Sequence, residues 1–392
     1  MYKLIDQIDI REKRVFIRTD YNVKMKGDQI IDDMRLEASL PTIQYALNAK
    51  AKVIIGTHLG RPKGVKNEKF SLMPVAKQLS LLIGHDVIFP EDCIGDGTKK
   101  LVNDLRDGEI ILLENLRFHP GEEANDPAFA AKLASYAEVY INDSFGTVHR
   151  AHASTVGMVS HFHEKGMGFL MKKELAALEG LFKAKKPFLA VLGGAKVTDK
   201  IGMIENMMNH VDIFLIGGAM AYTFLKAKGV NVGKSLVEDG KIHQAEKILK
   251  RAEVKGIEIV LPVDSVIAQS PEEGSPYRLA TNNENWNDWM GLDIGEHTLK
   301  IFGEKIGKAA TIFWNGPMGM FEIPPFNHGT VEMARLIAQS GAVSVAGGGD
   351  SLAAIRQSGF QDKFSHLSTG GGASMEFLEG KTLAGLKALE SV

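Results

Sequence analysis

Short runs of β-branched and other apolar residues recur along the whole chain, and amphipathic stretches separate them. In the first half, this pattern predicts strands at residues 15–18, 52–56, 86–89, 109–113 and 139–142. In the second half, it predicts strands at residues 188–193, 213–217, 257–263, 311–314, 343–347 and 365–368. Strands that alternate with helical segments are typical of parallel sheets built from βαβ units. The chain is therefore predicted to be an α/β protein with two doubly wound, Rossmann-like parallel-sheet domains.

A helical segment at residues 169–186 is predicted to join the two domains. Met171, Leu175, Leu178 and Phe182 are spaced by four, three and four residues, which places them on one face of a helix. Pro187 is predicted to end this helix. The segment could be a stiff connection between the domains or an ordinary surface helix of one of them, and periodicity alone favours neither interpretation.

Length, composition and net charge limit the classes of protein to which the chain can belong. A chain of 392 residues is long enough for two domains with separate cores, and its 44% apolar and 24% charged residues are ordinary for a globular protein. The net charge of −2 gives no general attraction to nucleic acid or to an anionic membrane, so an anion site requires a local concentration of cations. Neither a signal peptide nor a transmembrane run is predicted, which favours a cytoplasmic protein. The single cysteine, Cys93, excludes an internal disulfide and a thiolate metal site.

Cationic and hydrogen-bonding side chains follow the predicted strands of the first half. Parallel sheets bind ligands beyond the carboxyl ends of their strands, and these residues fall at such ends. Each has an ordinary alternative: a polar turn, loop punctuation, the start of a helix, or an ion pair of Arg117 with Glu114 or Glu122. Together they predict a clamp for carboxylate and phosphate groups. The set comprises Arg18, Asp20, Asn22, Arg35, His58, Arg61, Arg117 and Arg150.

Four histidines close together in the sequence also suggest a metal site. They are His149, His152, His161 and His163. No carboxylate or cysteine completes a ligand set in this segment, and exposed histidines are commoner than metal sites. We therefore do not predict a metal centre from them.

Glycine clusters take the place of cationic side chains in the second half. Bare backbone permits the close approach of a nucleotide polyphosphate. The clusters are Gly193 with Gly194, Gly217 with Gly218, Gly316 with Gly319, Gly347 with Gly348 and Gly349, and Gly370 with Gly371 and Gly372.

Two of these clusters carry charged residues. Residues 193–201 are predicted to open a helix whose dipole attracts phosphate, with Lys196 and Lys200 one turn apart. Cations are unfavourable at a helix N-terminus, which favours a functional role for these lysines. Asp350 is predicted either to be the N-cap of a helix at residues 352–357 or to bind magnesium beside phosphate oxygens.

A nucleotide-binding motif of another class is excluded. Residues 229–235 are similar to a Walker A loop, but three residues separate the glycines where four are required. The segment also follows a predicted helix at residues 219–228 and not a strand. The chain lacks a G-x-G-x-x-G fingerprint, which weighs against a nicotinamide dehydrogenase.

Ordered motifs occupy residues 18–22, 58–64, 113–118, 121–123, 145–154, 193–201, 314–322, 347–351 and 368–374. Together they resemble the phosphoglycerate kinase family over essentially the whole length of the chain. The resemblance implies an N-terminal phosphoglycerate-binding domain at residues 1–168, a joining helix at 169–186 and a nucleotide-binding domain at 187–375. It also implies that residues 376–392 pack back on the first domain, that the domains face a central cleft, and that the protein is a monomer. From the net charge, neither nucleic acid nor a membrane is an expected partner.

The resemblance also implies which residues bind and react. The implied phosphoglycerate ligands are Asp20, Asn22, Arg35, His58, Leu59, Gly60, Arg61, Arg117 and Arg150. The implied ligands of ATP or ADP with Mg²⁺ are Gly193, Gly194, Lys200, Gly291, Glu322, Gly347, Gly348, Gly349 and Asp350, with Asp350 on the metal. The implied catalytic groups are Arg35, Lys196, Gly348, Gly349, Gly371 and Gly372.

The implied reaction transfers a phosphoryl group between 1,3-bisphosphoglycerate and ADP. Both attacking oxygens are ionised at neutral pH, so positioning and charge neutralisation suffice without a general base. Two substrates on two domains require hinge closure. Four positions depart from the family pattern, namely Lys24, Ser144, Glu296 and Ala384. A sugar-phosphate sensor without activity remains an alternative, although it would have no use for Lys196, Lys200, Glu322 and Asp350 together.

Overall fold

The computed structural model describes residues 2–390 and divides into two compact units. Unit 1 comprises the residues up to Ala176 together with those from Thr382 onward, and unit 2 comprises Ala177–Lys381. The first boundary falls inside the helix that was predicted to join the domains. The chain returns to unit 1 later than the position near residue 376 that the family resemblance implies.

Unit 1 is built on a six-stranded parallel sheet. Its sheet order is β5-β6-β4-β1-β7-β8, and β2 and β3 form a separate antiparallel hairpin. In the central strand, Val15 lies opposite Val53 and Val139, and all three side chains are buried. Burial on both faces explains why these strands are continuous apolar runs. The strands are β1 (Arg14–Thr19), β2 (Met25–Lys26), β3 (Gln29–Ile30), β4 (Lys52–Gly56), β5 (Val87–Ile88), β6 (Ile110–Leu112), β7 (Val139–Asp143) and β8 (Glu164–Met167).

The sixth helix leads from unit 1 into unit 2. Met171, Leu175 and Leu178 are buried, as the spacing predicts. The helix ends at Leu181, however, before Phe182 and well before Pro187. The helices to this point are α1 (Met34–Asn48), α2 (Met73–Ile83), α3 (Asp96–Asp104), α4 (Pro120–Glu123), α5 (Pro127–Ala134) and α6 (Phe169–Leu181).

Unit 2 has a second six-stranded parallel sheet, with the order β11-β10-β9-β15-β16-β17. A three-stranded antiparallel sheet, β13-β12-β14, accompanies it and was not predicted. Only one of the five residues of β13 is buried, so this strand lacks the apolar run of a strand in a parallel sheet. The strands are β9 (Phe188–Leu192), β10 (Ile213–Ile216), β11 (Glu258–Val260), β12 (Asp264–Ala268), β13 (Tyr277–Thr281), β14 (Met290–Ile294), β15 (Thr311–Asn315), β16 (Val343–Gly347) and β17 (His366–Ser368).

The remaining helices complete unit 2, and the last one belongs to unit 1. Glu296 and Ala384, where the resembled family often has proline, each occupy the first residue of a helix. Proline suits that position but is not required there, since the first amide of a helix has no intrahelical partner. The helices are α7 (Ile201–Met207), α8 (Met220–Ala227), α9 (Ile242–Val254), α10 (Glu296–Ile306), α11 (His328–Gln339), α12 (Gly349–Gln357), α13 (Gly372–Leu378) and α14 (Ala384–Leu389).

The last helix is fixed to unit 1 by two hydrogen bonds. The amide of Gly385 donates to the carbonyl of Val148 at 2.7 Å, and Lys165 Nζ donates to the carbonyl of Ala388 at 2.9 Å. Within residues 2–390, no helix combines the length and the apolar character that crossing a lipid bilayer would require.

Candidate active site

The structure gathers the predicted cationic residues of unit 1 at the carboxyl end of its sheet. Asp20 follows β1 and His58 follows β4 by one intervening residue. Parallel pairing of β1 with β4 brings these strand ends together. His58 Nδ1 lies 3.9 Å from Asp20 Oδ1, and Arg35 Nη1 lies 2.5 Å from Asp20 Oδ2. The prediction that strand ends bring these residues together is confirmed.

The charges of four arginines converge on His58. Burial of its ring is the largest cause of a pKa well below the ordinary value, and Arg18, Arg117, Arg150 and Arg35 lower the pKa further. The imidazole is therefore neutral at pH 7 and adds no charge of its own. We call the five residues His58, Arg18, Arg35, Arg117 and Arg150 the arginine cluster. Such a concentration of cations in a protein of net charge −2 is a local anion site.

Arg117 has unused hydrogen-bonding capacity although its side chain is buried. It lies in the short 3-10 turn Leu116–Phe118, whose N-cap Asn115 accepts from the Arg117 amide. Its Nη1 donates to the carbonyl of Gly60 at 2.9 Å, and its Nε lies 3.3 Å from Glu123 Oε1 without hydrogen-bond geometry. Its Nη2 has no hydrogen-bond partner among the described residues. Buried polar groups are normally satisfied, so this donor is suited to bind an anionic ligand.

Burial lowers the pKa of Arg117 to about 10, and the charges of Arg150 and Arg18 act in the same direction, whereas Glu123 opposes them. The side chain remains protonated at pH 7. An ion pair of Arg117 with Glu114 or Glu122 was the expected alternative, but the carboxylate beside Arg117 is Glu123. Glu114 instead accepts hydrogen bonds from Ser71 Oγ at 2.8 Å and from the Leu72 amide at 2.9 Å.

Arg18 is a fully buried member of the arginine cluster. Its Nε donates to Ser154 Oγ at 2.7 Å, a second nitrogen donates to the carbonyl of Thr19, and Nη2 lies 3.9 Å from Glu122 Oε1. Glu122 in turn accepts from the amide and the hydroxyl of Ser154 at 2.9 and 2.5 Å. Arg18 thus supplies charge from inside the protein and is held by groups that sequence reasoning did not identify.

The remaining predicted residues of this site differ in exposure. Asn22 is exposed, and its Oδ1 accepts from the Gly60 amide at 2.8 Å. The side chain of Leu59 is buried in the core. Arg61 is exposed, and Arg150 is half-buried, with its Nε 3.3 Å from His149 Nε2. Gly60 has a φ of +62°, and a Cβ there would overlap the ring of Phe70.

In unit 2, the glycines after β9, β10 and β15 allow three loops to touch through their backbones. A Cβ on Gly193 would overlap the carbonyl of Pro317, and one on Gly218 would overlap the backbone of Gly194. The amides of Gly193 and Gly194 donate to the carbonyls of Asn315 and Pro317 at 3.0 and 2.9 Å. These two amides are therefore occupied, and the expectation that they attract phosphate is not met. The glycines serve the close approach of backbones instead.

The two predicted lysines lie outside the body of a helix. Residues 193–200 form a loop, and α7 begins only at Ile201 with Lys200 as its N-cap. The prediction that Lys196 and Lys200 lie one turn apart on a helix is wrong, because Lys196 lies exposed in the loop. Thr198 anchors this loop to Glu238 through its amide and its hydroxyl, at 3.0 and 2.8 Å. Glu238 lies far away in sequence and was not identified.

Lys200 lies close enough to Asp350 for their charges to interact. Burial lowers the pKa of Lys200 to about 8, while Asp199 and Asp350 raise it. Asp350 was predicted to be a helix N-cap or a magnesium ligand, but the N-cap of α12 is Gly348, and Asp350 is exposed in the first turn. An acidic residue at that position is favoured by the helix dipole. The N-cap role is therefore excluded.

Glycine-rich turns precede both α12 and α13, as predicted. Gly348 and Gly371 are the N-caps, with φ of +97° and +52°. The first amides of a helix have no intrahelical acceptor and can meet an anion, although the Ala373 amide of α13 already donates to the carbonyl of Gly370 at 3.0 Å. A Cβ added to Gly349 or Gly371 would meet no atom within 4 Å, so there is space beside both residues.

A cavity of about 390 Å³ in unit 2 adjoins these loops. Its apolar walls include Leu236, Met290, Leu292 and Met320, which suit a flat heterocycle. Among its lining residues are four that were predicted to bind nucleotide, namely Gly194, Gly291, Glu322 and Asp350.

Comparison with known proteins identifies the family. The phosphoglycerate kinase family model matches residues 5–381. The phosphoglycerate kinase of Anaeromyxobacter dehalogenans (strain 2CP-C) is 52% identical over 392 residues, which cover 99% of each chain. The phosphoglycerate kinase of Dictyoglomus turgidum is 50% identical over 384 residues, which cover 97% of this chain and 96% of that relative.

Solved structures agree with these matches. The phosphoglycerate kinase from Coxiella burnetii has a TM-score of 0.89 and 38% identity, with 99% of both chains covered. The one from Pyrococcus horikoshii OT3 has a TM-score of 0.88 and 36% identity, with 99% of this chain and 98% of that chain covered. Similarity in sequence and in fold extends over the full length, and the chain is an enzyme of the phosphoglycerate kinase family, a family of glycolytic phosphotransferases.

Proposed function

We propose that unit 1 binds 3-phosphoglycerate and 1,3-bisphosphoglycerate through the arginine cluster and its neighbours. The observation that carries this proposal is the buried Nη2 of Arg117, which lacks a hydrogen-bond partner among the described residues and lies among like charges. A guanidinium fork matches a carboxylate or a phosphate in shape and charge. Arg150 and the exposed Arg61 supply further cations. The complete proposed set is Asp20, Asn22, Arg35, His58, Leu59, Gly60, Arg61, Arg117 and Arg150.

Unit 2 binds ATP or ADP in the apolar cavity. Leu236, Met290 and Leu292 contact the base, and Glu322 accepts a hydrogen bond from a ribose hydroxyl. Lys200 and the first amides of α12 receive the phosphates, because a cation and a helix N-terminus both favour anions. The complete proposed nucleotide set is Gly193, Gly194, Lys200, Gly291, Glu322, Gly347, Gly348, Gly349 and Asp350, with the first two shaping the loop.

Asp350 fits the role of a ligand for Mg²⁺. Its carboxylate is exposed at the edge of the cavity, and its charge raises the pKa of Lys200, so it lies where phosphate oxygens would be. Mg²⁺ is typically held by one or two carboxylates together with substrate phosphates. When bound, the ion would neutralise phosphate charge.

Transfer proceeds without a general base, since the attacking carboxylate and β-phosphate oxygens are already ionised. Arg35, Lys196 and the amides of Gly348, Gly349, Gly371 and Gly372 stabilise the charge on the moving phosphoryl group. Removal of one such preorganised donor lowers turnover by ~10²–10³. Because each unit binds its own substrate, a closing motion must bring the reacting groups together and exclude water.

A coupled assay for ATP-dependent turnover of 3-phosphoglycerate tests these roles. We expect Arg35→Ala and Lys196→Ala each to lower kcat by ~10²–10³ with unchanged circular dichroism. Arg11→Ala and Lys250→Ala remove an exposed cation from the same two units and should leave kcat unchanged. Omission of magnesium should abolish turnover. Near wild-type kcat in Arg35→Ala or Lys196→Ala would mean that its catalytic role is misassigned.

Small-angle scattering tests the closing motion and the proposed monomeric state together. The forward scattering should correspond to one chain of 42.8 kDa. The radius of gyration should fall when 3-phosphoglycerate and a non-hydrolysable ATP analogue are both present, and not with either alone. An unchanged radius with both ligands would contradict closure.

The protein is proposed to work in the cytoplasm, where its glycolytic substrates are formed.

A further inference from the structure

Three different metal-ligating groups meet in unit 1 outside the arginine cluster. They belong to Asp92, Cys93 and His119, and a carboxylate oxygen, the thiol sulfur and an imidazole nitrogen lie within 4.8 Å of one another. Within residues 2–390, this is the one group of three or more such side chains. We call it the Asp-Cys-His cluster. The two halves of the cluster lie 26 residues apart in the sequence, so no local spacing motif reveals it.

Hydrogen bonds and a ring contact position the side chains of Asp92 and His119. Asp92 Oδ1 accepts from the Cys93 amide at 2.6 Å and lies 2.7 Å from His119 Nε2. The carbonyl of Asp92 accepts from Thr98 Oγ1 at 2.8 Å, which ties this loop to the start of α3. The ring of His119 stacks on Phe129, with centroids 5.4 Å apart. These contacts hold Asp92 and His119 beside each other, and an ion bound between Oδ1 and Nε2 would replace the hydrogen bond that joins them.

The cluster is accessible on one side. The side chains of Asp92 and His119 are 44% and 27% exposed, whereas Cys93 is fully buried. Asp92 and His119 can therefore be reached from solvent, whereas the Cys93 side chain is enclosed by protein. An ion that enters from solvent would keep a position for water, as sites with three protein ligands do.

One sulfur, one nitrogen and one oxygen form a ligand set for a borderline-soft cation. Zn²⁺ takes these three donor types, whereas Mg²⁺ and Ca²⁺ prefer oxygen alone. We propose that Asp92, Cys93 and His119 bind one divalent ion of the zinc class. This mixed set differs from the thiolate site that a single cysteine excludes, and it is separate from the magnesium ligand proposed at Asp350.

A bound ion would link the segment before α3 to the segment before α4, both in unit 1. Asp92 and Cys93 precede α3, and His119 immediately precedes α4. His119 also follows Arg117 by two residues. Bound metal stabilises the folded state by mass action and restrains the segment that carries Arg117. The expected consequence is greater thermal stability of unit 1 in the presence of zinc.

Spectroscopy with Co²⁺ and equilibrium dialysis with Zn²⁺ test the proposal on the full chain. We expect one equivalent of Zn²⁺ to bind, and Co²⁺ to give a near-ultraviolet charge-transfer band that shows a thiolate ligand. Cys93→Ala should abolish this band, and Cys93→Ala and His119→Gln should each weaken Zn²⁺ binding by roughly tenfold or more. The matched control is His328→Gln, because His328 pairs with Glu296 at 3.0 Å without a cysteine nearby. The His328→Gln variant should bind Zn²⁺ as tightly as the wild type.

Two results would overturn the proposal. One is the absence of zinc binding at micromolar concentrations in the wild type. The other is binding that His119→Gln and His328→Gln leave equally strong. Circular dichroism confirms folding of each variant. If Cys93→Ala does not fold, the comparison of His119→Gln with His328→Gln decides the outcome alone.

Discussion

The buried carboxyl group of Asp143, which contacts helix α6, makes a pH-dependent contribution to stability that can be measured. Asp143 ends β7 and is fully buried, and its Oδ1 accepts from the Met171 amide at 3.1 Å in the first turn of α6. The amide of Phe169 donates to Thr42 Oγ1 at 2.9 Å beside it. Burial raises the pKa of Asp143 to about 7, and hydrogen bonds from Thr42, Met171 and Leu170 oppose this rise.

The sign of the effect follows from linkage. The pKa of Asp143 is higher in the folded state, about 7, than its ordinary value of 3.8. Its favourable contribution is therefore complete below pH 3.8 and is lost as the pH rises through 7. Each pH unit in this interval corresponds to about 1.4 kcal/mol, and the whole interval to about 4 kcal/mol. Asp143→Asn removes the titration, so only the wild type should lose this stability.

Urea unfolding at pH 5, 6, 7 and 8 measures the difference between wild type and Asp143→Asn. All three tryptophans, Trp286, Trp289 and Trp314, lie in unit 2. Fluorescence therefore follows unit 2, and far-ultraviolet circular dichroism adds the transition of unit 1. We expect the stability of unit 1 in the wild type, relative to the variant, to fall by about 2 to 3 kcal/mol between pH 5 and pH 8. The fluorescence transition should not differ.

The control is Asp104→Asn, which removes an exposed carboxylate from α3. It should shift stability by less than about 0.5 kcal/mol at every pH. A difference between wild type and Asp143→Asn that stays constant from pH 5 to pH 8 would refute the reasoning, because it would mean that Asp143 does not titrate in this interval.

Three further predictions concern the two sites. Glu122→Gln leaves the buried Arg18 without its carboxylate partner and should destabilise unit 1 by about 3 kcal/mol in urea unfolding, and a loss below about 0.5 kcal/mol would contradict the pairing. Gly193→Ala forces a Cβ onto the carbonyl of Pro317 and should destabilise unit 2 by about 1–3 kcal/mol, measured by urea unfolding with tryptophan fluorescence. The control Gly180→Ala, whose added Cβ meets no atom within 4 Å, should not destabilise the protein. Lys200 has a pKa of about 8 and loses its charge above that pH, so kcat/KM for ATP should fall above pH 8 in the wild type. In Lys200→Arg, which stays charged, kcat/KM should not fall. An equal fall in both proteins would exclude this lysine as the cause.

The parallel sheets could be predicted from the sequence because their strands are buried on both faces. The strands at Lys52–Gly56 and Val343–Gly347 occur at the predicted residues. The antiparallel sheet could not be found in the same way, since β13 buries one residue of five and includes the exposed Arg278. Its stability depends on strand partners that local pattern does not reveal.

In the candidate active site, the sequence also predicted the residues that follow strands but not those that act through distant partners. The rule that ligands bind at the carboxyl ends of parallel strands located Asp20 and His58. It could not locate Glu122 or Glu238, because each acts through a residue more than 30 positions away. The occupied amides of Gly193 and its neighbour were also unpredictable, since their acceptors lie on a loop after another strand.

The most direct test is a comparison of binding by two variants, measured by calorimetry for 3-phosphoglycerate and for ADP with magnesium. Arg117→Ala should weaken 3-phosphoglycerate binding by at least roughly tenfold and leave ADP affinity unchanged, because a charged hydrogen bond contributes about 1.5–3 kcal/mol. Lys200→Ala should show the opposite selectivity. Equal weakening of both ligands by either variant, or no effect of either, would contradict the account that arginines of one unit hold the acid and loops of the other hold the nucleotide.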